Sequence, residues 1–318
     1  MRVKDKLKSK LESESINDEY WYAVKQEWDI KTICFAISIL KQYQNSKQNI
    51  NFEEYFKIER DTHRPDLKKA NHRRISNGEY LYLVSHANNY SSKIPTHIFD
   101  QIYERCNGEF DNLDSYYDIF ESQVEKMYFD FKYAKQKSNN KFTVHPLFIL
   151  YKILLLVGNI TGEYKISYME FKVFVVFLDN YFEVYNCVYS IIISRAKYTD
   201  YVKKVNSKIN NLRFYKIYKD LKTLNINDKE KFIEINPEKV ELVKYKIEQY
   251  ENLVVNKVNI ENMDAALKSK ENIFDYYKGV WIIVYKAFKN WLDSNKIDNS
   301  NDIIGYLEIG NKNYNSSH

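Results

Sequence analysis

Residues that break helices are scarce. The 318 residues include 7 glycines and 4 prolines, where an average protein carries roughly 7% and 5%. So few breakers exclude a fold built on many tight hairpins and point to a mainly α chain with long helices. Cysteine is equally sparse. Cys34, Cys106 and Cys187 stand far apart with no CxxC pair, which argues against a disulfide framework and a structural zinc site. No apolar run approaches the roughly 18 residues of a membrane span, so no membrane partner is expected. The N-terminal Met1-Arg2-Val3-Lys4-Asp5-Lys6-Leu7-Lys8 has charge but no apolar centre, unlike a signal peptide. These absences lead to the expectation of a cytoplasmic protein. There is no P-loop, no GxGxxG, no GxSxG and no internal repeat. The acidic run Glu109, Asp111, Asp114, Asp118, Glu121 has no glycine at the turn position of a calcium loop.

What is present is an adequate core and an uneven charge. Hydrophobic residues make up 44% of a chain long enough for about two domains. The net charge of +5 is mild, but its distribution is not. Residues 195–222 hold nine basic and two acidic residues, and residues 57–74 hold seven and three. Residues 100–130 hold nine acidic residues against Arg105 and Lys126. Such asymmetry suits a polyanionic partner, the alternative being solvated helix faces. The 29 tyrosines do not by themselves argue for base stacking.

The pattern predicts an N-terminal helical domain over 1–140, with a charged tail at 1–16, a basic arm at 57–74 and acidic helices over 95–137. Within it a helix spans Glu19 to Gln42, Asn77-Gly78 marks a turn, and a helix covers about 114–137. Ser138-Asn139-Asn140 forms the boundary. A second domain over 141–255 begins with Pro146 at a first helical position. Ser167 with Glu170 forms a capping box before Phe171. One or two helices follow between Glu183 and Lys208, and another over Phe214 to Leu224. Phe232 to Ile235 alternates as a short strand, and Asn236-Pro237-Glu238 starts a helix. Residues 256–318 form a helical extension, in which Phe274, Tyr277, Trp281, Val284, Phe288 and Trp291 make a core or partner-helix stripe. Residues 311–318 read as disordered.

The run His145-Pro146-Leu147-Phe148 through Leu154-Leu155-Leu156-Val157-Gly158, then Ile166-Ser167 and Glu170-Phe171, then Phe232-Ile233-Glu234-Ile235-Asn236-Pro237-Glu238-Lys239 resembles the recognition region of AlwI-like type IIS restriction endonucleases, a group that includes nicking endonucleases. The resemblance covers about 143–254. It implies winged-helix DNA recognition, followed in that family by a helical linker and a PD-(D/E)XK nuclease. This sequence departs from the family after Asn252, where the residues read as helices with no strand bearing Asp and (Asp/Glu)-x-Lys. The resemblance therefore implies recognition, and leaves cleavage to another chain.

Lysine and arginine neutralise phosphates, while side chains on a helix in the major groove read base edges. The candidates on the helical region before the short strand are Arg195, Lys197, Lys203, Lys204, Lys208, Arg213 and Lys216, with Arg195 and Arg213 as base readers. A basic loop or arm supplies Arg60, Arg64, Lys68, Lys69, Asn71, His72, Arg73 and Arg74. The histidines at 63, 72, 86 and 97 follow no ligand spacing, so no metal site is expected. Asp29-Ile30-Lys31, Glu163-Tyr164-Lys165 and Glu170-Phe171-Lys172 match half of a nuclease motif, a pattern that recurs by chance. The catalytic candidates are Asp29, Lys31, Asp61 and Asp66.

The expectation is a mainly α protein of two helical domains, the second a winged helix-turn-helix with a small β element. It would recognise specific double-stranded DNA in a restriction-modification system, as a recognition subunit or fragment of a type II restriction endonuclease. Its partners would be DNA and a separate nuclease subunit or a second copy. No cofactor belongs to the chain itself, and Mg²⁺ enters only with a nuclease site or partner. Two alternatives are an Mg²⁺-dependent endonuclease with its site in 1–140, and a helical protein-interaction module using the acidic face and the C-terminal aromatic stripe.

Overall fold

The computed structural model describes residues 21, 27–46, 49–67, 70–129, 144–178, 181–195, 199–208 and 214–255. They are mainly helical and fall into two compact units. Among the described residues, the first comprises those of 21–148 with 214–226, and the second those of 149–208 with 227–255. Residues 214–226 thus cluster with the N-terminal unit, whereas the sequence pattern groups them with 141–255. The expectations for 1–16, 138–140, 274–291 and 311–318 lie outside the described residues.

In the first unit, α1 spans Ile30–Asn45. Asp29 caps it by accepting from the Thr32 N–H, so the helix starts at Ile30 and not at Glu19. Trp28, just before the cap, is buried and meets Tyr80 edge-on at 5.7 Å. Helix α2, Phe52–His63, is capped by Asn51 and carries Glu53 and Glu54 in its first turn, where acids complement the helix dipole.

Helix α3, Ile75–Tyr80, runs through Asn77-Gly78, the expected turn. Two tertiary contacts outweigh that local signal. The Asn77 side-chain amide donates to the Glu27 carbonyl at 3.0 Å. A Cβ at Gly78 would lie 2.8 Å from Ile37 Cδ1 and 3.4 Å from Val84 Cγ2, so glycine leaves room for α3 beside α1 without moving the Ile37 side chain. Helix α4, His97–Arg105, is capped by Thr96, and the chain leaves it through Asn107 and Gly108 at positive φ. Helix α5 spans Tyr117–Lys126 and stops well short of 137. Phe129 instead pairs with Val144 in an antiparallel bridge, its ring 6.1 Å from Trp21.

Helix α6, Pro146–Thr161, opens on proline and is buried along most of its length. Even Lys152 is buried, its Nζ 2.9 Å from Glu251, whose carboxylate also accepts from Tyr181 at 2.7 Å. Strand β1, Lys165–Ser167, leads into α7, Tyr168–Val173, through the expected capping box. The Glu170 N–H reaches Ser167 Oγ at 3.1 Å, and the Ser167 N–H reaches the Glu170 carboxylate at 2.7 Å. Helices α8, Val184–Ile193, and α9, Thr199–Lys208, follow.

The helix expected over Phe214 to Leu224 is a 3₁₀ segment, Phe214–Asp220, and Leu224 already belongs to strand β2, Leu224–Asn227. Strand β3, Phe232–Ile235, completes an antiparallel sheet in the order β1-β3-β2. Ile166 sits opposite Ile233, both fully buried. The Asn236 cap and Pro237 introduce α10, Val240–Val254. Among the described residues no helix is long and apolar enough to cross a membrane.

Candidate nucleic-acid interface

The two basic stretches are built differently. Within 57–74 most of the arginines are committed to the fold. Arg60 donates to the Ala70 carbonyl at 2.9 Å and to Asp61 at 2.7 Å. Arg64 forks onto Asp66 at 2.9 Å and Asp111 at 3.1 Å, and these carboxylates hold its guanidinium above its usual range. Arg74 is buried and binds both the backbone carbonyl and the carboxylate of Glu27, at 2.8 and 2.9 Å.

Asn71 caps the 3₁₀ turn His72–Arg74 through the Arg73 N–H. His72 is 9% exposed and sits edge-on to Phe52, Phe56 and Tyr90, and burial holds its imidazole below the usual value. Arg73 is exposed, and Lys68 and Lys69 lie outside the described residues.

The second stretch is divided between the units. In the N-terminal unit, Lys216 and Lys219 of the 3₁₀ segment lie within electrostatic reach of Glu27. Together with the Arg74 hydrogen bond, the largest effect, they hold its carboxyl below the usual range. Arg74 and Lys216, 142 positions apart in sequence, therefore converge on one acidic group.

In the second unit, Arg195 donates to both oxygens of Glu170, at 2.7 and 3.0 Å, and to the Lys165 carbonyl at 2.9 Å. It fastens the end of α8 to the strand β1 and helix α7 junction, and the Glu170 hydrogen bond raises its guanidinium above the usual range. Lys203 and Lys204 are exposed on α9, whose Val202 and Val205 are buried. Lys203 has a loose pair with Asp200 at 3.5 Å. For Lys208 only the backbone is described, and Lys197 and Arg213 lie outside the described residues.

One exposed charged feature lies outside the two basic stretches, the turn between β2 and β3, in which Lys229 and Lys231 alternate with Asp228 and Glu230. Asn227 Oδ1 accepts from the N–H groups of Lys229 and Glu230 at 3.0 and 2.9 Å, an Asx turn. Lys231 follows at φ 58, and residues 228–231 are exposed. Asn227-Asp228 between two short alternating runs is the signal that marks it.

The catalytic candidates have structural duties. Asp29 caps α1, Asp61 takes Arg60, and Asp66 takes Arg64, which holds its carboxyl low. Burial holds the Asp220 carboxyl above its usual range, with Lys219 opposing. Among the described residues no three His, Cys, Asp or Glu side chains converge to hold a metal. Of the histidines, His86 meets Glu79 at 2.9 Å, His97 meets Gln101 at 3.2 Å, and His63 lies 3.4 Å from Glu59. No protein-family model matches the chain, and no curated protein matches it.

Proposed function

We propose that this chain recognises double-stranded DNA through a winged helix-turn-helix within residues 141–255. The observation that carries the reading is the order of the elements in the second unit: the main length of helix α6, strand β1, helices α7 to α9 and strand β3, with β1 paired antiparallel to β3. In that plan α9 takes the place of the recognition helix. Its valines face the core while Lys203, Lys204 and Ser207 face solvent. The exposed turn at 228–231 takes the place of the wing, with Lys229 and Lys231 set for phosphates.

The restriction-system part of the proposal rests on the resemblance to AlwI-like recognition regions. In it the chain is a recognition subunit or fragment, and a separate nuclease subunit or a second copy supplies Mg²⁺-dependent cleavage. A gel-shift titration tests the reading. One short site should be preferred, and affinity should fall steeply with salt. No binding to any duplex at low salt would sink it.

A further inference from the structure

Helix α10 carries two apolar lines. Val243, Ile247 and Tyr250 are buried. Leu242, Tyr245 and Leu253 are 41%, 58% and 83% exposed, and with the exposed Gln249 they recur at intervals of three and four residues on a different face. Single apolar side chains on a surface are ordinary, but the outer face of a surface helix is normally polar. Here two leucines and a tyrosine share one line over about three turns.

The chain that continues from α10 offers a matching line. In residues 274–291, outside the described residues, Phe274, Tyr277, Trp281, Val284, Phe288 and Trp291 are spaced 3, 4, 3, 4, 3. That is the heptad spacing of a helix that lies along another helix. The charges suit such a pair. Residues 274–291 hold Lys278, Lys286 and Lys289 against Asp275, whereas α10 holds three glutamates against two lysines. The joining residues, 255–273, reach at most roughly 3.3 Å each, and α10 rises only about 1.5 Å per residue, so the chain can return along the whole helix.

We propose that residues 274–291 fold back as a helix on the exposed face of α10, with Leu242, Tyr245 and Leu253 as its seat. A second copy on this face would set one acidic helix against another. The chain's own segment has the opposite charge and is tethered, which keeps it at a high effective concentration.

Photo-crosslinking of the full chain tests the proposal, with p-benzoylphenylalanine in place of Tyr245, an exposed position where the probe leaves the core intact. Irradiation should give products of monomer size whose tryptic peptides join position 245 to the stretch from Glu271 to Lys296. Trp281→Asp with Val284→Asp should lower the yield by about tenfold, since burial of large apolar side chains holds the pair together. Asn301→Asp, beyond the stripe, should leave it unchanged. Thermal melts followed by circular dichroism verify that each variant folds. The proposal is overturned if the products are of dimer size, which would seat a second copy on the face, if crosslinks map elsewhere in the chain or do not form, or if the double aspartate variant crosslinks like the parent.

Discussion

The arm at 57–74 and helix α9 carry the same kind of charge and use it in opposite ways. In the arm, Arg60, Arg64 and Arg74 close internal contacts, two of them to partners 47 positions away in sequence. On α9, Lys203 and Lys204 project into solvent from a helix whose inner face is valine. The difference follows side-chain chemistry. A guanidinium offers a planar fork that satisfies a carboxylate and a carbonyl at once, so it suits buried joints. An ammonium is more strongly hydrated, so the α9 lysines stay at the surface, whereas Lys152 is buried only because Glu251 pairs with it. Arg195 follows the same rule, since it ties Glu170 to the Lys165 carbonyl and presents less to a ligand than its place in the basic stretch suggests.

Breaking the arm should cost folding. Arg74→Ala, which strips Glu27 of its main partner and leaves Asn77 to hold that carbonyl, should lower unfolding free energy by about 2–3 kcal/mol in a urea titration. A loss under about 0.5 kcal/mol would place Arg74 among ordinary surface residues. Arg195→Ala should cost somewhat less, about 2 kcal/mol, because its side chain is 34% exposed although Glu170 is only 9% exposed.

The α9 lysines should behave the other way. Lys203→Ala with Lys204→Ala should leave stability within about 0.5 kcal/mol, yet reduce the slope of log affinity against log salt by about 2 in a DNA-binding titration. A pair that destabilises the fold without touching that slope would erase the contrast.

The smallest expected effect is a pH dependence in the arm. Burial holds the folded His72 imidazole below its ordinary value of 6.5, with Glu53 opposing. The unfolded chain therefore binds the proton first. The His72 contribution is present above pH 6.5 and is lost as pH falls below it. His72→Phe should flatten the decline in urea midpoint between about pH 7 and 5. An unchanged decline would assign it to other groups.

Much of the second unit was legible because its signals are local. A capping box needs only Ser167 and Glu170, three positions apart, a helix start needs only Pro146 or Asn236-Pro237, and Phe232–Ile235 shows its alternation within four residues. The candidate interface was legible in charge but not in role. Net charge over a window cannot distinguish an arginine paired with a distant carbonyl from a lysine on an exposed helix face. The turn at 228–231 escaped because one Asx turn leaves a weak mark in a chain rich in asparagine.

By itself, then, the sequence determined the mainly helical class, the capping of individual helices and the place of the short β3 strand, since propensity, caps and alternation act over a few residues. The tertiary structure decided what depends on distant partners. It set Asn77-Gly78 inside a helix packed beside Ile37, turned Arg64 and Arg74 into joints, and clustered residues 214–226 with the N-terminal unit. Burial and long-range ion pairing can outweigh a local preference worth at most about 1 kcal/mol.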